Sequence, residues 1–142
     1  MPTASTRILL PIDGSAGAHR AVRHVVNRAK GDAALEVELV GLEWPTLPDA
    51  LGVVWPAVRP GGAPAAARER DARALLAMHR IPFRLHRAIG DPARTIADIA
   101  RRHDCGEIVI GRLGANGLMR RALRTLPTRI AGLVRGRVTV VD

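Results

Sequence analysis

An α/β fold with one doubly wound parallel sheet is what this sequence predicts, and three observations predict it. Strand-like and helix-like segments alternate along the 142 residues in the order β-α-β-α-β-α-β-α-β, without an internal repeat. The run Ile108-Val-Ile110 is continuous in apolar residues, as in a parallel strand covered on both faces. Two strand ends, at Asp13-Gly14-Ser15 and at Gly111-Arg-Leu-Gly114, pass into polar glycine-bearing turns ahead of helices. Alternation of this kind implies right-handed crossovers, with ligands held outside the carboxyl ends of the strands.

Each element has its own signal. Arg7–Ile12 reads as a buried strand, apolar after its first residue. Ser15 can cap a helix whose Ala18, Val22, Val25 and Ala29 form one stripe, and Gly31 ends it. In Leu35–Leu42, Leu35, Val37 and Leu39 alternate with Glu36 and Glu38, which predicts a strand near an edge or partly exposed. Residues 43–63 break the pattern with four prolines, Gly61-Gly62, Trp44 and Trp55. A loop of that length is functional or disordered in most domains, and two Trp argue for a lid, a subunit contact or local packing. Ala65–Arg80 reads as a helix and Phe83–Ile89 as a strand. Asp91 as N-cap and Pro92 in the first turn open a helix with the stripe Ala93, Ile96, Ala97 and Ala100. Glu107–Ile110 is the fourth strand. Thr125 can cap a last helix carrying Ile130, Leu133 and Val134, and Val138–Val141 closes the chain as a strand.

Composition bounds the function. A chain of this length is one domain, residues 1–142, able to bury about two-thirds of its unfolded surface. No apolar run approaches the roughly 20 residues that span a bilayer, and the first residues lack a signal-peptide pattern. The single Cys105 fits a reducing compartment, so the cytoplasm is expected. Net charge is +9, and residues 64–142 carry all the excess, with 16 basic and 7 acidic side chains. Seven Arg and no acid lie between Ile108 and Val141. That stretch is either an anion-binding region or a solvated Arg-rich surface. Two Trp, one Phe and no Tyr leave little for base stacking, which argues against nucleic acid.

The glycine turn after the fourth strand is the most specific motif. Backbone N–H groups approach an anion closely where side chains are absent, and the following helix N-terminus favours negative charge. Asp13 either accepts hydrogen bonds from a ligand or bonds its own backbone in a turn. No P-loop, dinucleotide fingerprint or nucleophile elbow is present, and the five His with one Cys show no metal-ligand spacing. His86 and His103 read as surface or packing residues, Cys105 as a small core residue. No general base is evident, so an enzyme is not expected.

Over essentially its full length the chain resembles the universal stress protein family. The segments that carry the resemblance are Ile8-Leu-Leu-Pro-Ile-Asp-Gly-Ser15, Gly90-Asp-Pro-Ala93, Glu107-Ile-Val-Ile-Gly-Arg-Leu-Gly114 and Val138-Thr-Val-Val141. The resemblance implies a five-stranded parallel sheet in the order 3-2-1-4-5 and a homodimer paired through the final strand, Val138–Val141. One branch of the family binds ATP, with or without Mg, through G-x2-G-x9-G-[ST]; another branch lacks the pattern and binds none. Gly111, Gly114 and Thr125 match that pattern, whereas Arg124 stands in place of its third glycine. Arg124 would either fill the phosphate space or pair with phosphate. By the same resemblance Pro11 and Asp13 would lie against adenosine with Val40 or Leu42 flanking the base, and Arg112 belongs to the phosphate turn. The expectation is a regulatory ATP-binding protein, with loss of nucleotide binding and action through dimer or partner contacts as the alternative.

Overall fold

The computed structural model describes residues 5–42, 65–88, 90–114, 120–121 and 123–142. The Trp44–Trp55 segment, Ile89 and Gly117 lie outside the described residues. Among the described residues five strands and four helices alternate: β1 (Thr6–Ile12), α1 (Ala16–Ala29), β2 (Leu35–Leu42), α2 (Ala65–Met78), β3 (Phe83–Ala88), α3 (Pro92–Arg102), β4 (Glu107–Gly111), α4 (Leu126–Ala131) and β5 (Arg137–Val141). The strands form one parallel sheet in the order β3-β2-β1-β4-β5.

That order fixes where a ligand can sit. From β1 the chain winds outward through β2 to β3, then crosses back to β4 and winds the other way to β5. Right-handed crossovers put α1 and α2 on one face and α3 and α4 on the other. The direction reverses between β1 and β4, and their carboxyl ends open the crevice that such a reversal creates.

The core explains the strands. Ile8, Leu9, Leu10, Ile108 and Ile110 are buried, so β1 and β4 read as apolar because both their faces are covered. On α1, Ala18, Val22 and Val25 are buried as the stripe requires, joined by Gly17, Ala21 and Val26. On α3, Ala93, Ile96, Ala97 and Ala100 are buried with Ile99. Asp91 caps α3 by accepting from Arg94 N at 3.2 Å, as its sequence predicts.

Two expectations are corrected. The alternation in β2 predicts a strand near an edge or partly exposed; β2 is second from the edge and Glu36 is partly exposed, yet Glu38 is only 2% exposed. Glu38 is buried because Arg84, His86 and His103 close around its carboxylate. The last helix is also shorter than its apolar spacing predicts. It ends at Ala131, and Leu133 and Val134 lie beyond it, with Leu133 exposed. Ile130 alone of that trio is fully buried.

Candidate functional site

The two polar turns meet at the point where the sheet reverses. Asp13 follows β1 directly and is buried. Its Oδ1 accepts the Ser15 N–H at 3.0 Å, and its Oδ2 accepts the Gly114 N–H at 2.7 Å. One carboxylate therefore closes its own turn and holds the turn after β4. Gly14 and Gly114 adopt φ of 81° and 109°, a left-handed region that favours glycine. Ser15 caps α1, accepting from Ala18 N at 3.2 Å, while its hydroxyl donates to Arg112 O at 3.4 Å.

Gly111 has a packing reason for lacking a side chain. A Cβ there would overlap the Gly17 carbonyl, and a Cβ on Gly17 would overlap the Arg112 backbone. The first turn of α1 thus lies backbone to backbone on the end of β4. Gly17 was not among the expected site residues; its place two positions after the Ser15 cap was the available signal.

Two cavities flank this junction. One, of about 590 Å³, opens between α1 and α2 and is lined by Ser15, His19, Arg20, Arg23 and Asp71 among others. The other, of about 440 Å³, runs from Gly111 along the end of β5. Arg112, Arg120, Arg121 and Arg124 line it, and Asp142 is the one acid among its described lining residues. Arg112 Nε reaches Asp142 Oδ1 at 3.2 Å across open solvent, and Arg120 Nε donates to Gly114 O at 3.4 Å. The acid-free Arg stretch of the sequence accordingly contributes four guanidinium groups to one concavity.

The expected residues fall into groups. Pro11 and Val40 are paired neighbours in β1 and β2, both buried just below the rim. Asp13 and Gly114 are joined by a hydrogen bond. Gly111, Arg112 and Arg124 line the Arg-rich cavity. Thr125 lines neither cavity and makes no side-chain cap bond, contrary to the capping role expected of it. Its backbone is helical there, at φ −90° and ψ −2°, rather than in the extended conformation of a Ser or Asp N-cap.

Other ionisable groups near the sheet act in packing. At Glu107, burial pushes the carboxyl up, but hydrogen bonds from Thr139 at 2.6 Å and Arg28 at 2.8 Å outweigh it and hold it below its ordinary range. Burial, reinforced by the charge of Glu38, pushes the Cys105 thiol up to about 11, so it is neutral at pH 7.

Comparison with known proteins is consistent with this architecture. The family model described as the universal stress protein family matches residues 5–142. A universal stress protein solved in complex with cAMP superposes with a TM-score of 0.68 at 18% identity, covering 99% of this chain and 98% of that one. Universal stress protein UspA from Lactobacillus plantarum gives 0.63 at 25% identity, covering 99% and 100%. The universal stress protein from Archaeoglobus fulgidus in complex with dAMP gives 0.63 at 16% identity, covering 98% of each chain. No curated protein matches the sequence.

Proposed function

Since the chain belongs to the universal stress protein family, we propose that it binds an adenine nucleotide, ATP in the first place, as a regulatory ligand at the β1–β4 rim. Complexes of family members with cAMP and dAMP support the ligand class. The observation that carries the reading is the cavity beside Gly111, where Arg112, Arg120, Arg121 and Arg124 face one acid. A cavity of this size suits a small ligand, and guanidinium groups match phosphate oxygens in geometry and charge.

In this reading Arg124 contacts phosphate. Arg124 is exposed and lines the cavity. The four guanidinium groups neutralise phosphate charge themselves. Among the described lining residues a magnesium ion would find one carboxylate, Asp142, already paired with Arg112. Binding therefore depends little on Mg. Asp13 acts as the clamp that sets the rim before the ligand arrives, with lone pairs left for a ribose or amino group. The chain is a binding protein rather than an enzyme, because the rim carboxylate is already committed to two backbone N–H groups. Pairing of two copies through the exposed edge of β5, where Val140 is half exposed, completes the proposal.

One observation favours the second reading, a fold that has lost its nucleotide. The Gly114 N–H, a donor that a phosphate would use, is taken by Asp13. Titrating ATP into Arg124→Gly separates the two: weaker binding supports a phosphate contact, and tighter binding shows a side chain that obstructs.

A further inference from the structure

Away from the rim, three side chains distant in sequence meet on the face of the sheet that carries α3. Glu38 comes from the middle of β2, His86 from edge strand β3, and His103 from the C-cap of α3. His86 Nε2 lies 2.6 Å from Glu38 Oε2, and His103 Nδ1 lies 3.8 Å from Glu38 Oε1. The imidazole centroids are 4.7 Å apart, and one ligand atom from each residue falls within 4.8 Å of the others. We propose that Glu38, His86 and His103 form a binding site for a divalent transition ion of the zinc type.

The chemistry of the donors selects the ion. Two imidazoles and one carboxylate are the ligand set of three-residue zinc sites, which leave a fourth position for water. Imidazole nitrogen disfavours magnesium and calcium, and a set without thiolate disfavours copper(I). Bonds of about 2.0–2.1 Å in a tetrahedron place ligand atoms about 3.3 Å apart. His86 Nε2 lies 2.6 Å from one Glu38 oxygen and His103 Nδ1 lies 3.8 Å from the other, and with all three ligand atoms within 4.8 Å of one another side-chain rotation has to bring them to that common spacing around an ion.

Electrostatics points the same way. Glu38 is 2% exposed, and a buried carboxylate is costly unless a cation compensates it. The full cation at its side is Arg84, 3.2 Å from Oε1, with a side chain 59% exposed at the sheet edge. A mostly solvated arginine can swing away and leave the carboxylate to a metal. The ligand backbone is already fixed: Arg7 Nη1 donates to His103 O at 3.0 Å, and Gly106 N donates to Arg7 O at 3.1 Å. Both imidazoles are partly exposed, at 21% and 23%, which gives an ion a way in from the β3 edge. The metal would staple β3 to the end of α3.

Arg84 makes the test specific, because its loss and the loss of a ligand have opposite effects. The purified full chain, treated with chelator and desalted, is titrated with Zn²⁺ in a calorimeter and with Co²⁺ by visible absorption. One ion per chain is expected at micromolar affinity or tighter. His86→Ala and His103→Ala should each weaken binding by on the order of a hundredfold or more, at or beyond the upper end of the cost of losing an outer-shell partner. Arg84→Met should tighten it. Zn²⁺ should also raise the thermal midpoint of the parent but not of His103→Ala. Glu38→Gln should abolish binding; should it fail to fold, the two His variants and Arg84→Met decide alone. No binding at millimolar Zn²⁺ overturns the proposal. Binding that survives both His variants overturns it too, since the ion then sits on other groups such as His19 or His24.

Discussion

Gly114 donates its backbone N–H to Asp13 Oδ2 at 2.7 Å, a bond between residues 101 positions apart that joins the two turns of the β1–β4 rim. With Ser15 N on the other oxygen, the Asp13 carboxylate serves two buried donors from two turns. The rim is therefore held in shape before any ligand binds.

Replacing Asp13 by Ala leaves both N–H groups without their acceptor. At about 1–3 kcal/mol for each unsatisfied buried group, the expected loss is on the order of 3 kcal/mol. Asp13→Asn keeps one acceptor oxygen and should lose roughly half as much. Urea denaturation of the three proteins measures this; equal stability would mean the bonds contribute nothing.

The contact between Gly17 and Gly111 has no room for a methyl group on either side. Gly17→Ala and Gly111→Ala should each destabilise by about 2–3 kcal/mol, in the range of overpacked cores. Because each change forces the same two backbones apart, the double variant should cost less than the sum. A double-mutant cycle by thermal denaturation reads that coupling.

Acid should destabilise the chain through Asp91 and Glu107. The Arg129 hydrogen bonds, 2.8 and 2.9 Å long, lead in holding the Asp91 carboxyl below its ordinary value, against a smaller rise from burial. At Glu107 burial acts upward, and Thr139 and Arg28 overcome it. Both folded values thus lie below the unfolded ones. The stabilisation is complete above the unfolded carboxylate range and is lost as pH falls through the lowered folded values. Glu107→Gln should flatten the acid limb of a stability–pH profile between neutral pH and about pH 2, while Asp91, more exposed, contributes less. An unchanged limb in Glu107→Gln would contradict this.

Cys105 is the sole thiol of the chain. With its value pushed up to about 11, alkylation by iodoacetamide at pH 8 should be slower than that of a free cysteine by tenfold or more, since the thiolate is the nucleophile. Alkylation at the free-cysteine rate would show that Cys105 is not shielded.

Local signals made most of the fold legible. Continuous apolar runs marked β1 and β4, and Ser15 and Asp91 announced their helices because capping is a short-range bond. Sequence order alone could not show that Asp13 reaches Gly114, since only the sheet brings those positions together. Glu38 misled for a related reason: a charged residue in an alternating strand looks solvated until the residues that neutralise it are located, and here they come from β3 and the end of α3. Thr125 had the right residue type for a cap, but its helical backbone places the hydroxyl out of capping geometry. At the rim, the glycines of the turn were visible, whereas the backbone contact that Gly111 makes with Gly17 was not.

We propose that the four Arg beside Gly111 hold the phosphates of an adenine nucleotide. Calorimetric titration of the nucleotide-stripped protein with AMP, ADP and ATP, in EDTA and then in Mg²⁺, tests it most directly. Saturable binding near one per chain is expected, with affinity rising from AMP to ATP by about tenfold or more from charge-assisted contacts and little change on adding Mg²⁺. No heat from any of the three at millimolar concentration, at two temperatures, would contradict it and leave the nucleotide-free reading.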